Sequence, residues 1–170
     1  MHAFEDYRLG IDDDEIDIDS AAEQHSAAVL MTQQSNRSIN IISRELDPAV
    51  YNVPEYAEVL KNMLLANRRA RVRIIVFESQ LIARRGHVLL ELAGNLPSFI
   101  EFRTPGREYQ QFNESLFVAD TSGFIYRTNA TRYDGNLNFN DKRKSKTFMD
   151  VFEEMWGRSA PDTNLRKLTL

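Results

Sequence analysis

The sequence predicts an α/β domain with a mixed, largely parallel sheet flanked by helices. Three observations carry this. Runs rich in Val and Ile, such as Ser38–Ser43 and Val72–Phe77, alternate with segments of helical period. The order strand, helix, strand, helix, strand implies right-handed crossovers between parallel neighbours. A hairpin then closes the series: Leu116 to Ala119, a turn at Asp120, Thr121, Ser122 and Gly123, and Phe124 to Tyr126.

Each element has a local cause. Ser20 and Glu23 form a capping-box pattern that starts a helix running to about Gln34 through Ala28, Val29 and Thr32. His25 lies on that helix, where a structural role is expected. The β-branched run Ser38–Ser43 is a strand, broken by Arg44 to Pro48. Pro54 near a helix start, followed by Tyr56, Val59, Leu60, Met63 and Leu64, gives a helix to Asn67. Four arginines, Arg68, Arg69, Arg71 and Arg73, lead into the next strand. They either cap the helix and solvate the strand or bind phosphates, which would need clustering in space. One helical segment spans about Ser79 to Leu96, with Gly94 and Asn95 as its stop. Ser98–Arg103 alternates as a strand, and Pro105-Gly106 is a turn before the hairpin. Thr128–Lys146 reads as a long polar loop, a kind of segment that is often functional. Thr147–Arg158 is an amphipathic helix with Phe148, Val151, Phe152, Met155 and Trp156 on one face.

The 170 residues, 42% apolar, fit one domain with its own core. Its expected bounds are an acidic, disordered or loosely docked leader over 1–16, a domain over 17–159 and a tail over 160–170. Residues 1–19 carry eight acids and one Arg, a charge of −7, which leaves +3 for the rest of the net −4. The leader is either a solvated tail or an acidic arm over a basic site. So mild a basic body is not the footprint of a strong DNA binder, and nucleic acid is not the expected partner. The absence of cysteine excludes disulfides, thiolate zinc sites and a Cys nucleophile. No apolar run approaches the ~18 residues that span a bilayer, and the start is acidic rather than basic then apolar, so a cytoplasmic location is expected. There is no Gly-rich phosphate loop and no metal-ligand spacing, so no cofactor and no metal are expected.

In parallel sheets ligands gather at the carboxyl ends of strands. Those ends lead to Arg44 and Asp47, to Glu78 through His87, and to Arg103. A cleft of Arg84, Arg85, His87, Asn113 and Arg127 with the Asn-rich loop would suit a phosphate or another anion. Each candidate has a plainer reading. Arg84 and Arg85 fit a solvated helix turn, and His87 a satisfied structural histidine. Arg127 fits a buried ion pair with Asp120 or Asp134, and Tyr133 and Trp156 fit core aromatics.

The order of elements, with the hairpin and the closing helix FMDVFEEMW, resembles one half of the phospholipase D superfamily. That family's signature is His-x-Lys-x4-Asp. With Asp120 on its Asp, Asn113 falls on the His and Ser115 on the Lys, while the downstream Gly-Ser falls on Arg127 and Thr128. The stretches LDPAVYN (46–52), RRGHVLLELA (84–93) and RYDGNLNFN (132–140) are also similar to a bacterial family of phospholipase-D-like domains that sometimes accompany GNAT-type acetyltransferases. The resemblance implies a homodimer of halves, and its motif positions together with the strand ends and the Asn-rich loop give the candidate ligand-binding residues Arg44, Asp47, Arg84, Arg85, His87, Asn113, Ser115, Asp120, Arg127, Tyr133, Asn138 and Asn140. It also implies that phosphodiester chemistry is missing. An amide cannot attack phosphorus, and the three histidines are His2, His25 and His87, none of them after residue 87. The expected function is therefore a catalytically inactive binding module for a phosphate-bearing ligand or a protein partner, such as an acetyltransferase. The rivals are a hydrolase or transferase using Glu114, Asp120 or His87 in the same cleft, and a weak nucleic-acid binder using 68–73 and 141–146.

Overall fold

The computed structural model describes residues 3–166. His2 and the tail residues Leu168 and Leu170 lie outside that range. Eight strands form one mixed sheet: β1 (Ile16–Ile18), β2 (Ser38–Ile42), β3 (Arg71–Ile75), β4 (Ile100–Pro105), β5 (Ser115–Ala119), β6 (Gly123–Arg127), β7 (Gly135–Asn138) and β8 (Ser159–Pro161). Their spatial order is β1-β7-β6-β5-β2-β3-β4-β8. Parallel pairing is confined to β2 with β3 and β3 with β4. The remaining neighbours are antiparallel, because hairpins and short returning edge strands fill both sides of the crossover unit.

Alternation along the strands divides the core between the two faces. Ile39 and Ile41 of β2, with Phe117 of β5, point toward three helices: α1 (Ala21–Gln34), α3 (Pro54–Ala66) and α5 (Val88–Asn95). Ile42, Ile75, Leu116, Val118 and Phe124 point the other way, onto Met149, Phe152 and Met155 of α6 (Lys142–Gly157). Each such side chain, fully buried, contributes about 1.5–3 kcal/mol. Two short helices complete the chain before and after, α2 (Pro48–Tyr51) and α7 (Thr163–Arg166).

Several elements differ from the sequence reading, each for a definable reason. The segment 79–96 is two helices, α4 (Ser79–Arg85) and α5. Gly86 sits at φ +81° between them, and the His87 ring accepts the Leu89 N–H at 3.1 Å as the cap of α5. The polar stretch 128–146 is not a loop throughout. Residues 135–138 pair with β6 and β1, and α6 begins at Lys142, five residues before Thr147, with Asp141 capping the Lys144 N–H at 2.9 Å. The leader packs on the body: Tyr7 stacks on Phe139 at 5.4 Å, and the Gly10 N–H donates to the Phe139 carbonyl at 2.8 Å. In the tail, Ser159–Pro161 pairs with β4 and Leu165 is buried.

Candidate functional site

Beyond the carboxyl end of β2 the chain turns through Ser43, Arg44, Glu45 and Leu46 to Asp47, the last before α2. Arg44 is pinned by its own carbonyl, which accepts the Phe77 and Glu78 N–H groups at 3.1 and 2.8 Å. This loop, the end of β3 and the start of β5 enclose a cavity of about 290 Å³ lined by Ser43, Arg44, Glu45, Asp47, Glu78, Leu81, Asn113, Ser115, Ala130 and Thr131. A larger groove, about 520 Å³, runs along β4 between Arg71, Phe102 and Leu165; Arg71 and Arg73 of the basic run line it, and none of the expected cleft residues does.

The floor of the cleft is a buried ion pair. Arg127, 1% exposed, donates to Asp47 at 3.0 Å, to the Gln24 side-chain oxygen at 2.8 Å and to the Ala130 carbonyl at 2.7 Å. Asp47 also accepts the Ser43 hydroxyl at 3.2 Å. The Tyr133 ring lies 4.6 Å from the guanidinium as a cation–π partner. Burial, then the Asp47 charge, pushes the Tyr133 hydroxyl pKa up. Beneath them burial raises the Tyr51 pKa well above its ordinary value. Tyr51 Oη and Arg127 Nε have no hydrogen-bond partner among the described residues.

Arg127 is therefore a structural cation. Its partner is Asp47, not Asp120 or Asp134: Asp134 pairs with Arg132 at 2.9 Å, and Asp120 sits at the opposite end of the sheet. The rim is more open. Arg44 donates to the Phe112 carbonyl at 2.7 Å, stacks 4.6 Å from the Phe77 ring and lies 3.7 Å from Glu78. Asn113 is exposed and donates to Asn129 at 3.1 Å, while Ser115 is buried two residues further into β5.

The expected cleft divides. Arg44, Asp47, Asn113 and Ser115 line it, and Arg127 and Tyr133 support it from below. Arg85 stands outside, held by Glu45 at 3.5 Å, and Arg84 is exposed on α4. His87 does not reach the cleft. It is buried, one ring nitrogen donates to the Leu46 carbonyl at 2.9 Å, and the other caps α5. Burial lowers its pKa to about 4. Asp120, Asn138 and Asn140 are at the far end. Asp120, at φ +52°, accepts the backbone N–H groups of Asn36, Arg37 and Ser38 at 2.8, 2.8 and 3.0 Å. Asn138 donates to the Asp13 carbonyl at 3.0 Å and accepts the Asn140 N–H at 2.9 Å. Glu114 accepts the Tyr126 hydroxyl, away from the cavity lining. None of Glu114, Asp120 and His87, the residues of the rival reading, lines the cleft.

Sequence reasoning missed Ser43, Thr131 and Gln24. The signal for Gln24 was an amide on the apolar side of a helix, now 1% exposed. Among the described residues no cluster of three His, Asp or Glu side chains could hold a metal, and no helix is long and apolar enough to cross a membrane.

Solved structures share this architecture. NucT from Helicobacter pylori superposes with a TM-score of 0.62 at 13% identity, over 88% of this chain and 99% of that one. Nuc, a phospholipase D family member from Salmonella typhimurium, gives 0.60 at 12%, over 88% and 99%. TrmBL2, an archaeal chromatin protein described with a novel mode of DNA binding, gives 0.63 at 12%, over 87% of this chain and 54% of that one. The chain thus spans about half the length of TrmBL2. At such identities the likeness establishes a phospholipase-D-like fold alone. No curated protein matches the sequence. The model of a domain of unknown function, DUF7931, matches residues 20–168, and the chain belongs to that family.

Proposed function

We propose that the chain is a catalytically silent, phospholipase-D-like binding module whose ligand enters the cleft beside Arg44. The observation that carries the reading is the chemistry of the lining. Asn113 and Ser115, which the sequence resemblance sets on the imidazole and lysine positions, line the cleft, and no histidine is within the lining. A reactive nucleophile needs a base beside it. The one carboxylate on the floor, Asp47, is already held by Arg127 and Ser43.

The charges narrow the ligand. Glu45 faces Arg85, Asp47 faces Arg127 and Glu78 faces Arg44, so the cleft is close to neutral. Arg44 is the only cation in the lining, with Asn113 and the Ser115 and Thr131 hydroxyls as neutral partners. This suits a phosphodiester with a single negative charge better than a phosphate dianion. Bis(p-nitrophenyl) phosphate tests both halves of the reading. We expect saturable binding that is lost in Arg44→Ala, without release of nitrophenolate above background. Turnover that disappears in Asn113→Ala would overturn it.

The same reading includes self-association, since a single half is expected to pair about a twofold axis. Light scattering at micromolar protein should give twice the monomer mass, and a pure monomer would remove this part. An acetyltransferase partner rests on the family resemblance alone.

A further inference from the structure

We propose that the end of the sheet opposite the cleft is a docking surface for the phosphate backbone of duplex nucleic acid, tuned by the acidic leader. Four separate segments meet there. The Asn67 side chain donates to the Asn36 carbonyl at 2.8 Å, and the Arg71 N–H donates to the Arg37 carbonyl at 3.0 Å. Asp120 grips the Asn36, Arg37 and Ser38 N–H groups, and the Asp141 N–H donates to the Ser122 carbonyl at 2.8 Å. These bonds bring the basic run before β3 and the basic start of α6 to one edge, although Arg68 and Lys142 are 74 residues apart.

Arg37, Arg68, Arg69, Arg71, Lys142 and Arg143 are all exposed there. Among the described residues none of these six side chains pairs with a carboxylate. Arg71 is held instead by the Arg68 and Ala70 carbonyls, both at 2.7 Å. Arginines in the middle of the same strand and its neighbour behave differently: Arg73 meets Glu153 at 2.5 Å and Arg103 meets Glu101 at 2.8 Å. The mid-strand arginines are thus neutralised, while those of this edge are not.

The row crosses from β3 through β2, β5 and β6 to β7, four strand spacings or about 19 Å. At ~3.4 Å per phosphate along one strand, that length faces about five or six phosphates of a duplex. No aromatic residue occurs in 36–38, 67–71 or 142–146, and the ring beside the row, Phe99, is covered by the Arg71 guanidinium at 5.2 Å, so base stacking is not its means of binding. The contacts would be to backbone phosphates and independent of sequence.

The leader explains how a chain of net charge −4 could carry such a surface. It crosses the β6–β7 side of the same end, with Leu9 packed against Gly123 and the Asp13 carbonyl bound by Asn138. Glu15 lies 3.7 Å from Lys144. Its docking is apolar and backbone-mediated, so Asp12, Asp13, Asp14 and Glu15 act on the row through their charge without having to leave.

Fluorescence anisotropy of the full chain with a labelled 20-base-pair duplex tests this in 50 to 200 mM salt. We expect micromolar binding at 50 mM that weakens steeply with salt. The variant Arg68→Gln, Arg69→Gln, Lys142→Gln, Arg143→Gln should bind at least tenfold more weakly and lower the log–log salt slope by about 3–4, at ~0.9 per contact. The variant Asp12→Asn, Asp13→Asn, Asp14→Asn, Glu15→Gln should bind several-fold more tightly. No binding at 50 mM salt overturns the proposal, as does an unchanged affinity in the first variant. Loss of binding in Arg44→Ala instead would place the polymer in the cleft. Equal binding of poly-glutamate would identify an acidic protein as the partner and also overturn it. Failure here leaves the cleft reading untouched, because the bis(p-nitrophenyl) phosphate experiment reads the other end.

Discussion

The two ends of the sheet solve opposite electrostatic problems. At the carboxyl end of β2 the charges lining the cleft have counter-charges, and in the pair that matters most, Asp47 with Arg127, the guanidinium is buried. At the amino end of β2 the arginines and lysines face solvent, and the carboxylate of Asp120 beside them is occupied by three backbone N–H groups. A buried pair holds geometry and is costly to break, whereas an exposed row of like charge costs little structurally and acts at a distance. Arginine is thus a scaffold at one end and a surface at the other, and only burial tells the two uses apart.

The comparison can be broken most directly at its buried side. Arg127→Met leaves Asp47 uncompensated and should cost about 3–5 kcal/mol, or roughly 10 °C in melting temperature for a domain of this size. A loss below about 1 kcal/mol in urea titration would show that water reaches the pair.

His87 gives the next effect, through pH. Its folded pKa is lowered to about 4 by burial, against an ordinary value near 6.5, so the unfolded chain binds the proton more readily. The contribution is complete above about pH 6.5 and is lost as pH falls toward 4, by roughly 3 kcal/mol. His87→Asn keeps a capping oxygen and removes the titration. Its stability should fall less than that of the wild type between pH 7 and pH 4.5, and parallel curves would refute the assignment.

Asp120 sharpens the contrast from the other end. Asp120→Ala frees three N–H groups at a left-handed position and should cost about 2 kcal/mol. Asp120→Asn, which tolerates that backbone and keeps an acceptor, should cost less than half as much in the same titration. The smallest structural effect belongs to Arg44→Ala. Its contact with Glu78 is long and half-exposed, at 3.7 Å, so stability should change by less than about 1 kcal/mol while ligand binding is lost. A loss comparable to that of Arg127→Met would make Arg44 a second scaffold residue and remove the distinction between rim and floor.

Local sequence was enough for elements whose cause is local. Ser20 does cap α1 through the Glu23 N–H at 3.1 Å, Pro54 does open α3, and Ser115–Ala119 does pair with Gly123–Arg127 as a hairpin. The strand over 135–138 was not legible, because an Asn-rich segment of four residues becomes a strand only when β6 and β1 offer their edges. The break at Gly86 was hidden for a related reason: the His87 ring that caps α5 also needs the Leu46 carbonyl, 41 residues away.

Residue identities by themselves determined what this protein lacks: cysteine chemistry, an imidazole after residue 87, and an apolar run of membrane-spanning length. They also determined the periodicities from which the sheet and its helices follow, since 2.0 and 3.6 are properties of the backbone. Tertiary structure alone decided the company each charge keeps. Asp47 meets Arg127 across 80 residues, and Arg68 joins Lys142 at one edge across 74, because strand order and register bring distant charges together that no spacing along the chain encodes.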